Sequence, residues 1–110
     1  MLTFVETTKF TQLILSLVSD EDYAEFQREL ATSPEKGVLL SGCGGVRKVR
    51  MAARGKGKSG GARILYLYLP NAQLIYLLYL FTKGDAENIS AAGKNAIHQL
   101  AQQLKNEHRP

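Results

Sequence analysis

A chain of 110 residues with a formal net charge of +4 is long enough for one hydrophobic core but not for two, so we expect one domain spanning residues 1–110. One cysteine, Cys43, excludes an internal disulfide and favours a reducing, cytoplasmic setting. The most apolar run, residues 64–81, is interrupted by Pro70 and Asn71 and is too short and tyrosine-rich to span a membrane. The start of the chain lacks the basic and apolar regions of a signal peptide.

The N-terminal third predicts one strand followed by two helices. Residues 2–6 alternate partly and contain β-favouring types, which is typical of a strand. Helical spacing of apolar residues then follows Thr7 or Thr8, and a second helix can be capped by Ser19 or Asp20. Because almost nothing joins the two helices, they are predicted to form an antiparallel hairpin.

The middle of the chain predicts strands. Residues 46–53 place apolar residues among cations, and residues 63–69 and 73–82 are rich in leucine, isoleucine and tyrosine. Pro70 and Asn71 form the turn signal between the last two segments. Three consecutive strands imply an antiparallel meander.

A helix is predicted from near Ser90, with an apolar stripe of Ile97, Leu100, Ala101 and Leu104. The expected fold is therefore α+β, with an N-terminal strand and a two-helix hairpin packed on an antiparallel sheet of about four strands, and a C-terminal helix.

The basic centre of the chain is its most informative feature. Residues 41–63 carry half of the 14 lysines and arginines, and no acid occurs between Glu35 and Asp85. Such a surface attracts polyanions, of which phosphate backbones are the commonest, although a solvated hairpin tip is the simpler alternative. On strand periodicity Lys48 and Arg50 share a face, and Arg63 enters the partner strand, so the cations can converge at one end of the sheet.

Several chemistries are excluded by what this centre lacks. It has no paired carboxylates, no histidine before His98 and no metal-binding spacing. Cys43 therefore has no base beside it and is predicted to be structural. The Gly/Lys loop at 55–61 has its lysines in the wrong places for a P-loop and is expected between strands. Cation chemistry on a phosphodiester remains, and RNA supplies its own nucleophile, the 2′-hydroxyl.

Two other residue types are predicted to have ordinary roles. His98 and His108, on or beyond the last helix, have no partners at ligand spacing and are expected to be surface residues and not metal ligands. The tyrosines of the strand region are expected to be core or sheet-surface residues and not base-stacking platforms, namely Tyr66, Tyr68, Tyr76 and Tyr79.

The segments GCGGVRKVRMAARGKGKSGGARILYLYL and IYLLYLFTKGDAENIS resemble the RelE/HigB branch of toxins from bacterial type II toxin–antitoxin systems, and within it the HigB-like group with a Gly/Lys loop. The resemblance covers most of the chain. It implies a RelE-like fold and a ribosome-dependent endoribonuclease that cuts mRNA in the ribosomal A site and halts translation. It implies no metal and no cofactor.

The resemblance also assigns site residues. The basic strand motif falls on Lys48 and Arg50, the arginine of the next strand on Arg63, and the lysine ending the last strand on Lys83. Arg63 would clamp the phosphate in the transition state, Lys48 and Arg50 would hold or polarise it, and Lys83 would close the site. Further contacts to RNA or the ribosome are expected from Arg47, Arg54, Lys56 and Lys58.

The chain departs from the best-known RelE pattern at two positions. Gly84 stands where that pattern has an arginine, and Ser90 where it has a tyrosine. The base that activates the 2′-hydroxyl would therefore be a lysine, or Glu87 if it points back into the site.

The resemblance implies an acidic cognate antitoxin with a helix-turn-helix domain, so that operator DNA is bound only through the complex, and it implies the ribosome and mRNA as targets, with no membrane. Two alternatives remain open: a ParE-like toxin of the same fold that inhibits DNA gyrase, and a non-catalytic nucleic-acid-binding module. The nuclease is favoured because the chain retains the four cations of the family site, and a protein that only binds does not need cations that converge on the sheet. These cations are Lys48, Arg50, Arg63 and Lys83.

Overall fold

The computed structural model describes residues 1–53, 58–82 and 89–109, with the backbone alone at 53 and 58–60. In chain order its elements are β1 (Thr3–Glu6), α1 (Thr8–Leu17), α2 (Asp20–Thr32), β2 (Val38–Leu39), β3 (Arg47–Ala53), β4 (Lys58–Leu69), a 3-10 turn (Pro70–Ala72), β5 (Leu74–Thr82) and α3 (Ala91–Glu107). The α+β class and the C-terminal helix are confirmed.

The strands form one mixed sheet in the order β1-β5-β4-β3-β2. The predicted antiparallel meander of β3, β4 and β5 is confirmed. Two features differ from the expected antiparallel sheet of about four strands. In the described ranges there are five strands, because the two-residue β2 pairs with the outer edge of β3. In addition, β1 lies parallel to β5 and not antiparallel to a neighbour.

The three helices of the described residues begin where the sequence predicts, α1 and α2 at a predicted cap and α3 near Ser90. In each case a side-chain hydroxyl accepts a hydrogen bond from the backbone N–H three residues further on, and the capping residues are Thr7, Ser19 and Ser90. The first turn of α2 also carries three acids, which the helix dipole stabilises. Local sequence therefore determines where the helices start.

Four strands begin at residues other than the predicted ones. The first residue of β1 and of β3 is one position later than expected, at Thr3 and Arg47. Strand β5 begins at Leu74, because Gln73 takes a left-handed conformation (φ 55°) that ends the 3-10 turn. Strand β4 begins at Lys58, five residues earlier than expected. Gly61 makes this extension possible: its φ is 71°, and a Cβ there would lie 2.3 Å from the carbonyl oxygen of Met51.

The sheet has a different core on each side. We call the side covered by α1 and α2 the hairpin face; its buried cluster includes Phe10, Leu30, Val49, Met51, Ile64 and Tyr66. We call the other side the α3 face; its buried cluster includes Cys43, Val46, Leu65, Leu67, Leu78, Phe81 and Ala101. Cys43 is fully buried there, in keeping with its predicted structural role.

Tyr66 anchors the loop between α2 and β3. Its ring is fully buried, and its hydroxyl donates to the carbonyl of Pro34 (2.7 Å) and accepts from the N–H of Gly37 (3.0 Å). Burial is the main cause of the raised pKa of this phenol, opposed by the Gly37 hydrogen bond and the charge of Arg47. The loop that precedes the basic strand is thus fixed to the sheet.

Among the described residues, no helix is both long enough and apolar enough to cross a membrane.

Candidate nucleic-acid interface

The predicted cations of β3 and β4 lie together on the α3 face. Since side chains alternate along a strand, Lys48 and Arg50 point away from Val49, which belongs to the hairpin-face core. The register pairs Arg50 with Arg63, and Arg63 in turn with Phe81 of the α3-face cluster. The structure therefore brings Lys48, Arg50 and Arg63 to one side of the sheet, as the sequence predicts.

Arg50 and Arg63 are direct cross-strand neighbours, so their Cβ atoms are separated by about 4.5–5.5 Å. An anion held between the two guanidinium groups would contact both of them. Arginine is also suited to this role, because its planar fork can donate two parallel hydrogen bonds to one phosphate.

Within the described residues, the charged side chains of β3 on this face have no partner. Arg50 is exposed and Lys48 is half-buried, and neither side chain forms a hydrogen bond or ion pair there. Both ion pairs seen within those residues involve other cations, Lys36 and Arg47. The α3 face therefore presents positive charge to solvent.

Arg47 is not part of this group. It lies on the hairpin face, paired in register with Tyr66. Its Nη1 donates to the carbonyls of Glu35 (3.0 Å) and Gly37 (2.7 Å), and its Nη2 lies 3.6 Å from the Glu35 carboxylate. Arg47 thus holds the same loop that Tyr66 holds, and the structure separates it from the other cations of β3.

Four further residues named from the sequence lie outside the described residues: Arg54, Lys56, Lys83 and the alternative base Glu87. Lys58 is the first residue of β4 and pairs with Ala53 through the backbone. Ser90, at the position of the tyrosine in the RelE pattern, caps α3.

Sequence reasoning missed one further cation, Lys94. His98 and Ala101 both lie against Gly44, within 3.2 and 3.0 Å of where its Cβ would be. Lys94 is one helical turn before His98 and therefore lies on the side of α3 that contacts Gly44. Reading the phase of α3 from its apolar stripe would have identified this side.

The histidines have other contacts. His98 lies against Gly44, and Nε2 of His108 lies 2.7 Å from the hydroxyl of Tyr76. Partial burial and then the charge of Glu107 raise the pKa of the Tyr76 phenol. Within the described ranges, no group of three or more potential metal ligands comes together.

Comparison with known proteins identifies the family. The family model described as "RelE toxin of RelE / RelB toxin-antitoxin system" matches residues 18–109. The isolated RelE toxin of E. coli has a similar structure, with a TM-score of 0.55 and 15% identity, covering 91% of this chain and 99% of that one. A chain of the intact E. coli RelBE toxin–antitoxin complex gives a TM-score of 0.59 at 15% identity, covering 74% of this chain and 96% of that one.

At this identity the two structures show a shared fold, and the narrower HigB-like grouping stays a prediction. The family match spans most of the chain and includes the strands that carry Lys48, Arg50 and Arg63. The chain therefore belongs to the RelE toxin family of the RelE/RelB toxin–antitoxin system.

Proposed function

We propose that this toxin is a ribosome-dependent endoribonuclease that cleaves mRNA in the A site, acting without a metal or cofactor. The observation that carries the proposal is the direct pairing of Arg50 with Arg63 on the α3 face. A protein that needed these strands only for its fold would gain nothing from two adjacent arginines. As a clamp on a phosphodiester, the same pair stabilises the charge that develops during attack.

The reaction follows from the substrate. The 2′-oxygen of the RNA attacks the adjacent phosphorus and the bond from phosphorus to the 5′-oxygen breaks, leaving a 2′,3′-cyclic phosphate and a free 5′-hydroxyl. One proton leaves the 2′-hydroxyl and one joins the departing oxygen. Arg50 and Arg63 hold the phosphate, since arginine remains charged throughout. Lys48, Lys83 or Glu87 would carry the protons.

The remaining contacts follow from the same proposal. Lys56 and Lys58, with Arg54, would hold ribosomal RNA or the message, as their positive charge suits any phosphate backbone. Arg47, which we had expected among them, is committed to Glu35 and Gly37 and has no part in the proposed site.

A cognate antitoxin is the proposed protein partner in the cytoplasm. One of the similar structures is a toxin–antitoxin complex. Since the described part of the α3 face is cationic, an acidic segment is the chemistry that would bind it. We propose that this antitoxin carries a helix-turn-helix domain, through which the complex contacts operator DNA.

The test is cell-free translation with purified protein, mapping new 5′ ends on the message with and without engaged ribosomes. Arg63→Ala should lower translation-dependent cleavage by about 100- to 1,000-fold, the usual cost of one transition-state donor. Arg47→Ala is the matched control and should leave the cleavage pattern unchanged.

A wild-type protein that leaves every message intact would overturn the proposal. A gyrase supercoiling assay on the same preparation would then decide between a gyrase inhibitor and a protein that only binds nucleic acid.

A further inference from the structure

Tyr79 is exposed although the residues around it in β5 are buried. Its side chain is 40% exposed, whereas its neighbours Leu78 and Leu80 are 7% and 1% exposed. No hydrogen bond of its hydroxyl is found among the described residues. The sequence predicted a core or sheet-surface position for Tyr79 and no base-stacking role. The surface position is the one observed, and the exposed ring is available for the stacking that the sequence did not predict.

A β-bulge sets the direction of this side chain. Leu65 of β4 pairs with Tyr79 and the next residue, Tyr66, pairs with Leu77, so Leu78 is an extra residue in β5. Leu78 packs under α3 in the α3-face cluster. The hydroxyl of Thr7 donates to the Leu78 carbonyl (2.8 Å) and so fixes the bulge from the neighbouring strand end. Bulges next to functional sites commonly redirect one side chain in this way.

Tyr79 is close to the paired arginines. Its ring centroid is 6.3 Å from that of Phe81, and Phe81 is the register partner of Arg63. Arg63 is therefore the diagonal cross-strand neighbour of Tyr79, with Cα atoms about 7–8 Å apart. Lys48 lies in the same cross-strand row as Tyr79, two strands away, or about 9–10 Å.

Tyr79 also borders an open apolar groove of about 650 Å³. Leu13 of α1 and Ile97 of α3 contribute to its walls, and Tyr79 lines it beside Phe81. The groove therefore offers a planar aromatic surface with an apolar surround, open to solvent and adjacent to the charged row.

We propose that Tyr79 is a stacking platform for a nucleobase of the RNA whose phosphate lies between Arg50 and Arg63. Single-stranded RNA is bound where cations hold the backbone and an aromatic ring stacks on a base, and here both lie on one face. The inference rests on the proposed nuclease function and extends it, because it assigns a residue that positions the substrate and takes no part in proton transfer.

A tryptophan at this position would report stacking directly. The protein contains no tryptophan, so the fluorescence of Tyr79→Trp comes from one known site. Adding a short 2′-O-methyl RNA, which cannot be cleaved, should quench that fluorescence. Tyr68→Trp, on the hairpin face, is the control and should not respond.

Binding and cleavage measurements separate stacking from charge. Tyr79→Leu should weaken binding of the same oligonucleotide by about 5- to 100-fold, the cost of one lost base stack, with an unchanged salt dependence. Arg63→Ala should lower the slope of log K against log salt by about 0.7. Tyr79→Phe should bind RNA and cleave translated message as the wild type does.

Each contrary result has a definite meaning. If the wild type does not cleave translated message, the proposed function fails. If it does, but Tyr79→Leu binds and cleaves normally, the stacking inference alone is wrong. Loss of cleavage in Tyr79→Phe would assign the role to the hydroxyl instead. If Tyr79→Leu binds RNA normally but loses antitoxin in co-purification, the groove binds protein, and stacking is again excluded.

Discussion

Two neighbouring cations of β3, on opposite faces of the sheet, differ in their partners among the described residues. Arg47 and Lys48 are consecutive residues of β3, so their side chains lie on opposite faces. Arg47, on the hairpin face, donates to two carbonyls and lies beside a carboxylate. Lys48, on the α3 face, has no partner among the described residues. Within the described residues, the Arg47 charge is bonded to the fold, whereas the Lys48 ammonium is available to a ligand.

The same difference extends to the tyrosines. Tyr66 on the hairpin face is fully buried and makes two hydrogen bonds, while Tyr79 on the α3 face is exposed and makes none within the described residues. The hairpin face therefore resembles an ordinary protein interior. The α3 face leaves charged and aromatic groups available to solvent, which costs stability and is expected of a binding surface.

The largest expected effect distinguishes two arginines of β3. Arg50→Ala should reduce translation-dependent cleavage by about 100-fold or more, because one of the two phosphate donors is lost. Arg47→Ala should retain cleavage and instead lower the free energy of unfolding by about 1–3 kcal/mol, since its hydrogen bonds to the loop are lost. Mapping of 5′ ends and urea denaturation measure the two quantities. Loss of cleavage by a folded Arg47→Ala protein would contradict the separation of the faces.

A second prediction concerns the buried phenol. Tyr66→Phe leaves the N–H of Gly37 and the carbonyl of Pro34 without their partner, so it should lower the free energy of unfolding by about 1–3 kcal/mol. Tyr68→Phe is the matched control, as no bond of its hydroxyl is found within the described ranges. Urea denaturation should show a clear shift of the midpoint in the first variant only.

A smaller effect is expected at Lys94. Lys94→Gln should weaken RNA binding by about three- to tenfold at low salt and reduce the salt slope by about 0.7, because one positive charge on the Gly44 side of α3 is removed. Lys9→Gln on α1 changes the same charge on the other side of the molecule and should have little effect. Titration of a labelled oligonucleotide at several salt concentrations compares the RNA affinities of the two variants. Equal losses of affinity would show that only the net charge of the protein matters.

The smallest effect is a pH dependence on the hairpin face. Burial, and then the hydrogen bond and charge of Glu6, raise the pKa of the Tyr23 phenol. A raised pKa in the folded state contributes stability that is present below the unfolded value of about 10 and is lost as the pH rises above it. The free energy of unfolding should therefore fall more steeply above about pH 10 in the wild type than in Tyr23→Phe. Parallel curves would show that this contact contributes nothing.

Local signals account for the parts of the fold that the sequence predicted. The hydroxyl caps at Thr7, Ser19 and Ser90 act within one helical turn, so the helix starts could be inferred without tertiary information. The two-residue strand β2 has too few residues for any periodicity. The parallel position of β1 depends on a contact between distant segments, for which no local pattern exists.

The candidate site divides in the same way. Period-two alternation correctly placed Lys48 and Arg50 on one face, and strand adjacency brought Arg63 beside them. The exposure of Tyr79 could not be inferred, because it depends on the extra residue Leu78 and on the Thr7 hydroxyl that holds it. From the strand pattern alone, Tyr79 and Tyr76 have the same expected exposure.

The position of β1 affects when the toxin is completed during synthesis. β1 is made first but lies beside β5, and the Thr7–Leu78 bond joins residues 71 positions apart. Contacts of such separation form late and slow the folding of a small protein. The backbone of β1 has no partner until residues 74–77 have been added, and Tyr79 and Phe81 come later still. The sheet of a newly made toxin therefore cannot be completed until β5 has emerged from the ribosome.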